Sequence, residues 1–165
     1  MKKGITRRER EVTDINEIIG ILDRAKIVHV GMIDGDMPYV VPMNYGYTME
    51  EGKLTLYLHG ATVGRKLDIL RVNAKVFIEI DTDIVPFDGK AACQYGTTYS
   101  SVMGEGIAEL IEEPEGKMAG LGILMKTQTG REFEFSEKMV TGVTVIKINV
   151  SEFTAKKRPM PMREN

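Results

Sequence analysis

The run Leu56-Tyr-Leu-His-Gly-Ala-Thr-Val-Gly-Arg-Lys-Leu-Asp-Ile-Leu70 changes from one periodicity to another. Its start alternates as a strand does, and from Val63 to Val72 the apolar residues Val63, Leu67 and Leu70 fall at helical spacing. Between the two lie His59, Gly60, Ala61, Gly64 and the basic pair Arg65-Lys66. A strand that turns into a helix here leaves unpaired backbone N–H groups at the helix start, where the dipole adds partial positive charge. Two cations on that first turn make it an anion site, and a phosphate is the expected occupant. The spacing matches neither the Rossmann nor the P-loop pattern, so a dinucleotide domain and an NTPase are both disfavoured.

The rest of the chain reads as strands in hairpin order. Ile27–Ile33 and Tyr39–Thr48 flank an Asp34-Gly-Asp36 turn, and Glu50-Glu-Gly52 leads into Lys53–His59. Ala74–Asp81, Thr98–Ile111 and Val143–Val150 alternate as well. Pro42 lacks a donor, so its strand is expected at an edge, at a bulge or where the ladder opens, and an opened ladder would leave backbone groups free for a ligand. Gly104 and Gly106 predict a bulge or a close backbone approach. Helices are expected over Asp14–Lys26, with Asp14 and Glu17 as a capping box, and from Pro114 to just before Gly130. Thr82–Thr97 is expected to be a long loop, with Cys93 as a small buried hydrophobe. A charged arm over 1–12 and an irregular tail over 154–165 would flank a single domain spanning 1–165. About six strands and three helices in this order point to a mainly β fold, an antiparallel barrel with flanking helices.

Composition excludes several functions. A formal net charge of −2 gives no general attraction to nucleic acid or an anionic membrane. No apolar run approaches the ~20 residues of a membrane span. The start of the chain is charged and has no apolar segment of the secretory kind. A single cysteine and two histidines argue against a structural zinc, and no metal is expected. A cytoplasmic protein fits these facts. The eleven methionines are expected in packing. His29, between Val28 and Val30, is expected to be structural.

Three stretches, Tyr39–Tyr47, Leu56–Lys66 and Tyr99–Gly106, occur together in an order and spacing that resembles the FMN-binding split-barrel superfamily. Within it the chain is most similar to the nitroimidazole-resistance branch of the pyridoxamine-phosphate-oxidase-like proteins. The resemblance implies a six-stranded antiparallel split barrel, a homodimer with FMN between the subunits, and reduction of small molecules such as nitroaromatics. It implies that Arg65 and Lys66, with the Gly60–Gly64 turn, bind the FMN phosphate. Val41, Pro42, Met43 and Asn44 would run along the flavin ring. Tyr99, Ser100, Ser101 and Val102 would contact it from another strand. His59 would face the flavin pocket and is the candidate catalytic residue. A non-catalytic flavin carrier or sensor, or a split barrel using heme or a deazaflavin, are the alternatives. Pyridoxamine-phosphate oxidases of this superfamily use a C-terminal segment with Trp, Arg and His, whereas this chain has no Trp and no His after Val150. Vitamin B6 oxidation is therefore not the expected activity.

Overall fold

The computed structural model describes residues 5–161. The alternating segments become strands β1 (Glu11–Val12), β2 (Ile27–Asp34), β3 (Met37–Asn44), β4 (Gly46–Glu50), β5 (Lys53–Ala61), β6 (Lys75–Phe87), β7 (Gly96–Ile111) and β8 (Val143–Arg158). The helices are α1 (Ile15–Arg24), α2 (Arg65–Val72), α3 (Pro114–Thr129) and the short α4 (Glu137–Val140). The strands form one 8-stranded antiparallel sheet in the order β3-β2-β6-β7-β8-β5-β4, with β1 paired to β8 off that path. The inner face buries Val28, Leu56, Leu58, Ile78, Ile80, Val102 and Ile148. Ile18, Ile21 and Leu22 of α1 and Leu67, Ile69 and Leu70 of α2 join the same core.

The antiparallel sheet with flanking helices agrees with the expected fold class, but the barrel does not close. β3 and β4 are consecutive in the chain yet form the two opposite edges of the sheet. They separate at Tyr45, which interrupts what the sequence presents as one strand from Tyr39 to Thr48. The Tyr45 ring is fully buried, and its hydroxyl donates to Leu22 O at 2.7 Å. Burial is the main reason its phenol is held well above the usual range, with Tyr47 adding to the shift. The Tyr45 carbonyl accepts from Gln128 Nε2 at 2.7 Å, and the Asn44 amide donates to Lys26 O at 3.2 Å. At Gly46 a Cβ would stand 2.3 Å from Leu124 Cα and 2.5 Å from Leu124 N, so the α3 backbone lies directly on this residue. The chain is thus held from both sides where it changes edges. Pro38 and Pro42 lie on β3, the free edge, four residues apart and so in one phase of the ladder. That phase faces away from β2, where a missing N–H costs no sheet bond.

Other boundaries shift for local reasons. Asp14 caps α1 as expected, its carboxylate accepting from Glu17 N at 2.9 Å. The reciprocal half of the capping box is replaced: Glu17 Oε1 instead accepts from Lys157 Nζ at 2.7 Å. α2 starts at Arg65 rather than Val63, which is exposed. The expected loop over 82–97 is mostly sheet, because β6 runs to Phe87 and β7 starts at Gly96. A bulge between Thr82 and Val85 puts Asp83 at φ 59°, where Arg24 grips its carboxylate with bonds of 3.0 and 2.8 Å. Cys93, in the short connection that remains, is exposed rather than buried. The expected bulge near Gly104 and Gly106 is present between Glu105 and Gly106. The expected irregular tail is also partly sheet, since β8 continues to Arg158 against Tyr99–Glu105 and β1. Part of the expected arm over 1–12 pairs as β1, while residues 1–4 and 162–165 lie outside the described residues. Among the described residues no helix is long and apolar enough to cross a membrane.

Because backbone atoms of α3 occupy the space above Gly46, no rotamer change can accommodate a methyl group there. Gly46→Ala is expected to cost about 1–3 kcal/mol by overpacking, read as a lower urea midpoint with an unchanged slope. An unaltered midpoint would mean that α3 does not fix the point where the sheet splits.

Candidate functional site

The start of α2 is built from a backbone that only glycine adopts easily. Gly64 has φ 139° and ψ 161°. Its carbonyl receives the first helical bonds, from Leu67 N at 2.9 Å and Asp68 N at 3.2 Å. The N–H groups of Arg65 and Lys66 lie ahead of those bonds and take no part in the helix ladder. No side chain caps this end. It therefore presents free donors and the positive end of the dipole.

The two cations beside it differ. Arg65 Nε donates to Asp34 Oδ2 at 2.8 Å, and its guanidinium lies 4.5 Å from the centroid of the Tyr39 ring. It is committed to the β2–β3 hairpin. Lys66 is half-buried and folds back over β5: a Cβ on Gly60 would stand 2.9 Å from Lys66 Cε and 3.2 Å from its Nζ. No hydrogen bond or ion pair holds Lys66 among the described residues. An incoming anion would compete with Asp34 for Arg65 and meet no competitor at Lys66.

β5 extends to Ala61, whereas β4 covers it only as far as Tyr57, opposite Gly46. Leu58 to Ala61 therefore have no β4 partner, and on the other side of the split lies the free edge of β3. His59 and Ala61 are exposed, and Gly60 is half-buried. On β3 the four expected residues divide by parity. Val41 and Met43 lean on the core, while Pro42 and Asn44 are exposed. The Asn44 amide is spent on Lys26 O and, at 3.4 Å, on Gln128 Oε1. One chain thus lines His59, Gly60, Ala61, Gly64, Arg65 and Lys66 along the end of β5 and the start of α2, with Arg65 reaching β3 at Tyr39, three residues from Pro42.

It does not bring Tyr99–Val102 to that place. Gly31 pairs with Phe77, and Phe77 with Glu105. Continuing this register sets Asp34, and with it Arg65, level with Ala74 and Ala108, which are joined by a 2.8 Å bond. Ser100 lies eight residues back along β7, on the order of 26 Å at about 3.3 Å per residue. The quartet also splits by face. Ser100 and Val102 are fully buried, whereas Tyr99 and Ser101 are half-buried and belong to the opposite phase. Among the described residues, buried Ser100 Oγ has no partner within hydrogen-bond geometry. Tyr99 accepts a long bond, 3.4 Å, from Arg10 Nη1.

Two features were not expected from the sequence. An open groove of about 450 Å³ is lined by Ile33, Asp34, Gly35, Arg65, Asp68, Ile69 and Val72. It shares only Arg65 with the expected site. The outer face of the sheet, away from the core, exposes Val40 (59%), Phe77 (45%), Met103 (39%) and Ile107 (48%). The alternation of β6 and β7 carried that signal, because their polar phase contains these apolar residues. His29, expected to be structural, lies on this face with Nδ1 3.1 Å from Glu79 Oε2.

Comparison with known proteins agrees with this architecture. The family described as pyridoxamine 5′-phosphate oxidase matches residues 14–157. A candidate 5-nitroimidazole antibiotic resistance protein from Bacteroides thetaiotaomicron is 34% identical, with 89% of this chain and 86% of that one covered and a TM-score of 0.75. The flavocytochrome Anf3 from Azotobacter vinelandii is 22% identical over 98% of this chain and 75% of that one, with a TM-score of 0.77. A FAD and heme binding protein from Mycobacterium smegmatis is 17% identical over 94% and 77%, with a TM-score of 0.76. The last two share the fold. No curated protein matches the chain.

The backbone at Gly64 makes a direct test of the turn. A side chain there has open space but the wrong φ. Gly64→Ala is expected to lower stability by about 1–3 kcal/mol, measured by chemical denaturation. A variant as stable as the parent would show that the turn relaxes without penalty and is not a fixed frame for a ligand.

Proposed function

The chain belongs to the pyridoxamine 5′-phosphate oxidase family, and on that footing we propose that it is a flavoprotein that reduces small molecules, a homodimer holding FMN between its two copies. The observation that carries this reading is the start of α2: Lys66, without a partner among the described residues, lies over Gly60 beside the N–H groups of Arg65 and Lys66, which are likewise unpaired among them. A phosphate dianion fits that donor set. Lys66 supplies a charge, and the backbone supplies directed donors. Arg65 joins if its carboxylate partner Asp34 gives way.

The register of β6 and β7 supports two copies. Tyr99 and Ser101 lie far from Arg65 in the same chain, so a second chain would have to supply them to a shared site. The apolar outer face is what a second copy would cover, since contiguous exposed apolar surface marks interaction sites. When bound, FMN would supply the transfer of electrons from a donor to a small acceptor. The chain's own part is to bind and orient. Lys66 and the α2 N–H groups neutralise the phosphate, and the edge of β3 at Pro42 offers free backbone groups to the ring. His59, exposed at the end of β5 beside Gly60, is placed to hold or pass a proton near the bound ring. Nitroaromatics are the acceptor class suggested by the 34% identical protein. Flavin rather than heme is the reading favoured by the phosphate turn, which a heme would leave unused.

Spectra and mass separate these readings. The purified protein is expected to show a flavin spectrum as isolated or after adding FMN, and a Soret band alone would reject the proposal. Replacing both Arg65 and Lys66 by Ala is expected to weaken FMN binding at least about 100-fold, two tenfold steps for two charge-assisted contacts, with circular dichroism unchanged. Equal affinity would remove the phosphate from this turn. Light scattering is expected to give a dimer, and a flavin-loaded monomer would contradict the shared site. Anaerobic reduction by NADH or NADPH followed by a nitroimidazole would separate an enzyme, which reoxidises, from a carrier, which does not.

A further inference from the structure

The outer face of the sheet carries a grouping that the flavin reading does not use. His29 on β2 is directly opposite Glu79 on β6. Asp81 follows two residues along β6 and therefore on the same face. One ligand atom from each of His29, Glu79 and Asp81 lies within 4.8 Å of the other two, and all three residues are half-buried. Among the described residues this is the only group of three such side chains within that range.

Its surroundings place no lysine or arginine against it among the described residues. Pro42 is opposite His29 on β3, Met103 is opposite Glu79 on β7, and Ser101 is opposite Asp81. Phe77 precedes Glu79 on the same face, and no lysine or arginine pairs with Glu79 or Asp81 among the described residues. Two carboxylates this close together, with an imidazole beside them, are stabilised by a cation.

We propose that His29, Glu79 and Asp81 form a site for a divalent transition-metal ion. One imidazole nitrogen and two carboxylate oxygens are a donor set suited to Zn²⁺ or Mn²⁺. Bidentate carboxylates or water complete the coordination. Because the three side chains rise from one face, they occupy one side of the ion, and the other side points away from the sheet. The inference rests on the geometry of β2 and β6 and is independent of the flavin reading.

The full-length protein, freed of metal with a chelator and dialysed, is titrated calorimetrically with ZnCl₂ and separately with MnCl₂. Saturable binding of one ion per chain is expected for at least one of the two. His29→Gln, Glu79→Gln and Asp81→Asn are each expected to weaken it at least about tenfold. Circular dichroism of the variants is expected to match the parent, because none of the three side chains is fully buried. No saturable binding of either ion overturns the proposal, as does binding that all three variants retain, which would place the metal elsewhere. Flavin affinity measured on the same samples reports separately on the α2 turn.

Discussion

The hold on Tyr45 sets the shape of everything around it. An antiparallel sheet of this size would close if β3 continued along β5, as its sequence allows. Instead the Tyr45 ring is drawn into the core, its hydroxyl is fixed to the end of α1, and Gly46 is pressed beneath α3. A buried phenol donating to a helix carbonyl is expensive to unmake, since both groups would lose their partners away from water. The carbonyl of Tyr45 is held as well, by Gln128. Two helices distant in sequence therefore decide that the sheet opens at this point. The opening exposes one edge of β3 and the last residues of β5, and it sets α2 at its mouth. The ligand site proposed for this chain lies at that split.

Within that site the two adjacent cations, alike in sequence, differ in physical character. Arg65 is stacked on Tyr39 and paired with Asp34, a geometry suited to a planar guanidinium and poorly suited to an ammonium. It fastens the start of α2 to the β2–β3 hairpin. Lys66 has no such duty, and its stem covers Gly60, where any side chain would stand in its way. The division commits Arg65 to the frame and leaves Lys66 without a partner among the described residues. It also explains the glycine: a larger residue at position 60 would push the free ammonium out of the turn.

Much of this could be read from the residues. Alternation located the main strands, Asp14 and Pro114 marked helix starts, and Pro42 announced a free edge, because each is a local signal with a local cause. The break at Tyr45 could not be read, since the alternation passes through it undisturbed and its cause lies in α1 and α3. The last turn of β8 was hidden for a different reason. Only Ala155 is buried beyond Val150, so Thr154–Arg158 shows no apolar period, and it is sheet because β7 and β1 offer it a ladder. Of the expected site, the turn before α2 is a local signal in the sequence, whereas its strand stretches mix two faces. Consecutive residues of a strand point to opposite faces. The side chains of Val41–Asn44 and Tyr99–Val102 are therefore divided between the core and the other face.

The same parity rule connects the outer face to assembly. The residues of β6 and β7 that cannot reach the core include Phe77, Met103 and Ile107, and the same phase carries Glu79 and Asp81 beside His29. Covering this face with a second copy would gain from the apolar residues and lose from the carboxylates, because a buried, unpaired charge costs several kcal/mol, on the order of 3–5 when a partner is missing. Such a face closes well only if the negative charge is neutralised. A divalent ion on His29, Glu79 and Asp81 would do so while directing its open coordination positions outward, toward whatever approaches the sheet. Metal binding and pairing of two chains would then favour one another, since each removes part of the other's cost.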